Sequence, residues 1–168
     1  MRVSKALAVV ATLFALGCGG GGGGNNNGNP TGPVPGGATN GTFTAQINGV
    51  TWSATGTVNV SKQPPSFIGL GASGFAGGTA YAFVLGIGNA TGPGTHSFNV
   101  FAGGDGSSLV IGGTTSGWGT AFQGGTGSVT ITVLTSNHIV GTFSGTAVPS
   151  SGSAANLVIT NGQFDLTF

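Results

Sequence analysis

Charged side chains are almost missing from this chain of 168 residues: three Lys or Arg, two Asp and no Glu, or 3% against roughly 25% in an ordinary soluble domain. So small a set excludes an electrostatic nucleic-acid binder, which needs a basic stripe to neutralise phosphates. A single cysteine, Cys18, excludes an internal disulfide. Past the amino terminus no segment repeats its apolar residues at the helical period, which disfavours a helical bundle or an alternating helix and strand fold. What is present instead is Gly, with 37 copies, and many Ser, Thr and Asn; the four types supply about half the chain. That is the chemistry of turns and hydroxyl-bearing strands.

At the amino terminus Arg2 and Lys5 precede an apolar run, Ala6 to Leu16, closed by Gly17 and Cys18. Charge, short hydrophobic stretch and small residues in that order form the pattern of a secretory signal over residues 1–17. The run is shorter than the ~20 apolar residues that span a bilayer. Its removal leaves Lys62 against Asp105 and Asp165. From Cys18 to residue 41 the chain shows no hydrophobic periodicity and carries Pro30, Pro33 and Pro35 among Gly and Asn. Such a segment cannot bury enough surface to offset its ordering entropy. It reads as a tether with a mean reach of about 25 to 30 Å, followed by one domain over residues 42–168.

Phe14-Ala15-Leu16-Gly17-Cys18 resembles the lipobox of bacterial lipoprotein precursors, with Ala15 where that family usually has Leu. The resemblance implies that Cys18 is acylated and becomes the first residue of the mature chain. Gly19, which follows, is not the Asp that by resemblance to enteric lipoproteins would favour the inner membrane, so the expected site is the outer membrane of a bacterium. The alternative is an ordinary signal peptide with a stray Cys18, which would be an unpaired thiol in an oxidising compartment.

Within the domain, Phe43, Ala45 and Ile47 alternate with Thr44 and Gln46; after Asn48-Gly49, Val50, Trp52 and Ala54 alternate with Thr51 and Ser53. A two-residue turn at Asn48-Gly49 pairs Ile47 with Val50, Ala45 with Trp52 and Phe43 with Ala54, which gathers the apolar side chains on one face. Further strands are expected at Phe67 to Ala72, Ala80 to Ile87, Thr95 to Phe101 and Leu109 to Gly112. Val129, Ile131 and Val133 lead through Ser136-Asn137 into Ile139 and Phe143. Asn161-Gly162, between Leu157-Ile159 and Phe164-Leu166-Phe168, reads either as a hairpin turn or as a bulge in one long strand. The pattern predicts an all-β domain, an antiparallel sandwich or barrel of roughly 8 to 10 strands.

Phe43 to Trp52 with its Asn48-Gly49, Gly127-Ser128-Val129-Thr130-Ile131-Thr132, Gly141-Thr142-Phe143-Ser144-Gly145-Thr146 and Ile159-Thr160-Asn161-Gly162-Gln163-Phe164-Asp165 resemble an uncharacterised family of bacterial lipid-anchored β domains. The resemblance covers the two ends of the domain better than its middle. It implies an exported all-β domain and brings no catalytic positions with it.

Chemistry-bearing residues are few. Asp105, in Gly103-Gly104-Asp105-Gly106, is expected to cap its own turn, and Asp165 to lie solvated opposite Phe164 and Leu166. His96 and His138 lack partners at zinc-like spacing and read as surface or partly buried imidazoles. Gly69-Leu70-Gly71-Ala72-Ser73-Gly74 spells a dinucleotide loop, but nothing after it can start a helix. Trp118, flanked by Ser116-Gly117 and Gly119-Thr120, is the candidate ligand contact, or else a plug anchoring an irregular loop. Lys is scarce where it commonly protects sheet edges, a task left to Pro64-Pro65, Pro149 and glycine; weak self-association of the unlipidated domain is the expectation.

Together these features describe an exported, lipid-anchored β domain with a structural or binding role at the cell envelope, without catalytic residues, cofactor or bound metal. The expected partners are the membrane, through the anchor, and an envelope protein or glycan. A small-ligand or glycan-binding module centred on Trp118 is the alternative, and a hydrolase a third.

Overall fold

The computed structural model describes residues 38–63, 66–98, 105–152 and 154–168; Cys18, residues 1–17, most of the tether and Pro64-Pro65 lie outside them. The domain is all-β, as its pattern predicts. Eleven strands follow one another: β1 Ala38–Ile47, β2 Val50–Ala54, β3 Val58–Gln63, β4 Phe67–Ala76, β5 Thr79–Ile87, β6 Gly94–Ser97, β7 Ser108–Gly112, β8 Gly117–Gly119, β9 Thr126–Leu134, β10 His138–Pro149 and β11 Leu157–Thr167. The sheet begins at Ala38, within the segment expected to be tether, where Ala38 and Thr39 pair with Asn59 and Val58.

Every pairing is antiparallel, and the order β11-β1-β2-β4-β5-β7-β8-β10 returns to β11, which closes an eight-strand barrel. This decides for a barrel over a sandwich. The other three strands branch from the wall: β3 pairs with β1 and β4, while β9 lies along β10 and carries β6. Both β3 and β8 escape the sequence pattern, since β8 has three residues and β3 ends on Ser61, Lys62 and Gln63.

Local chemistry accounts for the register. Asn48 and Gly49 both take positive φ, 49° and 82°, the geometry of a type I′ turn that matches strand twist. Ile47 then faces Val50 and Ala45 faces Trp52, as expected; Val50, however, is exposed beside the turn. Asn48 also prolongs the β1–β11 ladder, its N–H donating to Val158 O and its Oδ1 accepting from Val158 N. Asn161-Gly162 is a bulge: β11 is one continuous strand, and its register slips by one residue against both β1 and β10. Asn161 takes φ 50° there. A second slip, opposite Val140/Gly141, brings Phe143 against Val129 after Ile139 has met Leu134.

The interior is filled by aromatics around Phe43, whose ring meets Trp52, Phe83, Phe143 and Phe164 at centroid distances of 5.6, 6.1, 5.5 and 6.4 Å, all edge to face. Such pairs add about 0.5–1.5 kcal/mol each to the gain from burial. The repeated spelling Gly-x-Phe on β10 and β11 has a packing purpose. Gly141 pairs with Phe164 and Phe143 with Gly162, and each ring lies over the glycine opposite, so that a Cβ at either glycine would strike it. Facing outward, β1, β2, β10 and β11 present Thr, Ser, Gln and Asn.

Candidate functional site

The ionisable side chains of the described domain converge on three fastenings. The first lies at β6. Among the described residues that strand pairs only with β9, and its inward-facing His96 reaches the segment before β7, where Nδ1 meets Asp105 Oδ2 at 2.6 Å. A carboxylate can only accept, so Nδ1 carries the proton and donates. Asp105 Oδ1 accepts from the Ser107 N–H at 3.1 Å, and Ser107 Oγ in turn accepts from Gly88 N at 3.0 Å. Desolvation pushes the Asp105 carboxyl up, but the hydrogen bonds from Ser107 and His96, with the charge of His96, outweigh it and leave the group below its usual range. Asp105 therefore caps its turn, as expected, and also holds an imidazole, which was not. His96 is 8% exposed and its Nε2 is buried without a hydrogen-bond partner among the described residues. Of the two readings of His96, surface or partly buried, the surface one gives way, and the imidazole is buried more fully than expected because the period-two alternation of β6 turns it inward beside Phe98.

The second fastening is on the outer face. His138 Nε2 and Asp165 Oδ1 are 2.8 Å apart, a diagonal pair between β10 and β11, whose ladder sets His138 opposite Thr167 and Val140 opposite Asp165. Asp165 does face solvent, at 63% exposure, but has a partner. The third is Lys62, at the end of β3. Its Nζ donates to Thr135 O at 3.0 Å and Ser136 O at 2.8 Å, and stands 4.3 Å from the centroid of Phe168. Burial lowers its pKa. One cation thus ties β3 to the β9–β10 turn and the carboxyl-terminal ring.

These fastenings do not merge. Among the described residues no three of His, Cys, Asp and Glu come together as a metal would require. The Gly69 to Gly74 spelling lies within β4, a strand.

Trp118, on β8, pairs with Ile111 on one side and Pro149 on the other. Its ring packs against the core and lies 6.3 Å from Tyr81, and its Nε1 donates to Ala155 O at 2.9 Å. The indole is anchored at Ala155, and a ligand at Trp118 would meet only the part of the ring that stays accessible. The aromatic that sequence reasoning missed is Phe75, 56% exposed on β4. Its neighbours Gly74 and Ala76 point inward, and only its phase in the strand marks it as outward.

Comparison of the chain with family models, curated proteins and solved structures found no match in any of the three.

Proposed function

We propose that this protein is a lipid-anchored, exported binding or structural module of a bacterial cell envelope, held by an acylated Cys18 in the outer membrane and related to the uncharacterised lipid-anchored β domains that its strand and turn motifs resemble. One observation carries the non-catalytic part of this reading: every acid, every imidazole and the one ammonium among the described residues is tied into a bond that fastens strands or loops. A general base must reach the proton it removes, and the free nitrogen of His96 is buried. His138 is more accessible, and its ring is held by Asp165 in a pair that fastens β10 to β11 on the outer face. The anchor follows from Arg2, Lys5, the apolar run and Gly17-Cys18. Several acyl chains, at about 0.8 kcal/mol per buried methylene, make such attachment lasting.

Mass spectrometry of the mature amino terminus tests the anchor: an acylated Cys18 as first residue is expected, and Cys18→Ser should move the protein from the membrane to the soluble fraction. An unmodified Cys18 in a membrane-free protein contradicts it. Turnover of an envelope substrate that disappears in both His96→Ala and His138→Ala contradicts the non-catalytic role.

A further inference from the structure

Phe75 does not stand alone on the outer wall. The ladders set Gln163 of β11 opposite Thr44 of β1, Thr44 opposite Ser53 of β2, and Ser53 opposite Phe75 of β4. These four side chains form one row across four strands, about 14 Å long at the usual strand spacing. A second row runs beside it, from Thr160 through Gln46 to Thr51. It is ordered from within: Gln46 Oε1 accepts from Thr160 Oγ1 at 3.3 Å and from Asn161 Nδ2 at 3.0 Å. The amide is thereby fixed, and its Nε2 donors remain unused among the described residues.

Neither row contains a charge. A phosphate, nucleic acid or acidic polymer would find no cation in either row, and a basic partner would find only Asp165, one outward pair further along β1 and β11 and already held by His138. A protein partner of ordinary kind would be expected to bury an apolar centre with several anchors, whereas here the exposed apolar side chains, Phe75 on β4 and Val158 on β11, stand at opposite edges of a face of hydroxyls and amides. Hydroxyl and amide groups both donate and accept, which suits a ligand that is itself a neutral field of hydroxyls. An aromatic face, in turn, covers the apolar C–H face of a sugar ring. From this complementarity we infer that the outer face of β11-β1-β2-β4 binds a short stretch of neutral polysaccharide, one sugar ring stacked on Phe75 and its neighbours hydrogen-bonded along Ser53, Thr44 and Gln163. The inference rests on the binding-module reading and gives that module a ligand class and a surface.

Affinity electrophoresis of the full-length, detergent-solubilised protein through gels containing dextran, hydroxyethyl cellulose or polygalacturonate tests it. Retardation by at least one neutral polymer and none by polygalacturonate is expected. Phe75→Ala should weaken that retention about tenfold or more, while Phe75→Trp keeps it; the site is exposed, and an unchanged near-ultraviolet circular dichroism spectrum shows that the variants fold. Ser53→Lys places a charge in the middle of the row and should also weaken binding. Retention that survives Phe75→Ala but is lost in Trp118→Ala overturns the surface assignment while leaving a binding module in place. Failure of every neutral polymer to retard a protein whose Cys18 is acylated overturns the ligand class alone.

Discussion

Along β10, β11 and β1, neighbouring strands run together for most of their length, and two rings lie over two glycines in reciprocal register. Between β6 and residues 105–107 the connection is made instead by side chains, His96 to Asp105, while Ser107 ties the same segment to Gly88 at the end of β5. The first junction is held chiefly by backbone bonds and apolar packing, which respond little to proton concentration, with the exposed His138–Asp165 pair on its outer side. The second is held by a carboxylate whose charge is the source of its strength. In a domain so poor in charge, the buried ionisable pair stands where the ladder stops, whereas the pair on the β10–β11 ladder is exposed, and substitutions should separate the two junctions.

The largest effect is expected at the centre of the first. Phe43→Ala removes the ring that touches four others and should cost about 3–5 kcal/mol, seen as a lower denaturant midpoint at unchanged slope. At the second junction Asp105→Asn replaces a charged acceptor by a neutral amide and should cost about 1.5–3 kcal/mol. Hydrogen exchange in that variant should accelerate in residues 94–97 and 126–131 while residues 157–167 keep their protection; equal acceleration in both would mean that the junctions do not differ. Gly141→Ala returns to the ladder, where its methyl would meet the Phe164 ring and the Thr130 carbonyl; about 1–3 kcal/mol is expected, as for other overpacked cores. The smallest change belongs to the exposed outer pair. His138→Ala should lie within about 1 kcal/mol of the parent protein, and a larger loss would make that pair a fastening as important as the inner one.

Short-range features were legible in the sequence, and long-range ones were not. The Asn48-Gly49 hairpin could be read to the residue because turn chemistry and alternation agree over ten positions. Asn161-Gly162 could not, since the same left-handed Asn and following Gly serve a hairpin turn and a bulge, and only the two flanking strands decide between them. Closure of the barrel depends on two pairs between β8 and β10, far apart in the chain. The His–Asp pairs, 9 and 27 residues apart, follow no motif spacing because they are set by strand register rather than by a helix turn or a loop. Phe75 was hidden for a related reason: in a strand whose inner face is largely Gly, Ala and Leu, the outward aromatic does not stand out by alternation.

The claim on which the rest depends is that the few ionisable side chains serve as fastenings within this fold, leaving recognition to neutral groups. It is tested most directly by unfolding free energy as a function of pH, in the parent protein and in the His96→Gln/Asp105→Asn double variant. The Asp105 carboxyl titrates lower in the folded chain than in the unfolded one, so its contribution is full above the unfolded value of about 3.9 and vanishes as pH falls through the folded value. The parent protein should therefore lose stability on acidification below about pH 4, and the double variant, less stable at neutral pH, should approach it there. Curves that stay parallel across that range would contradict the account.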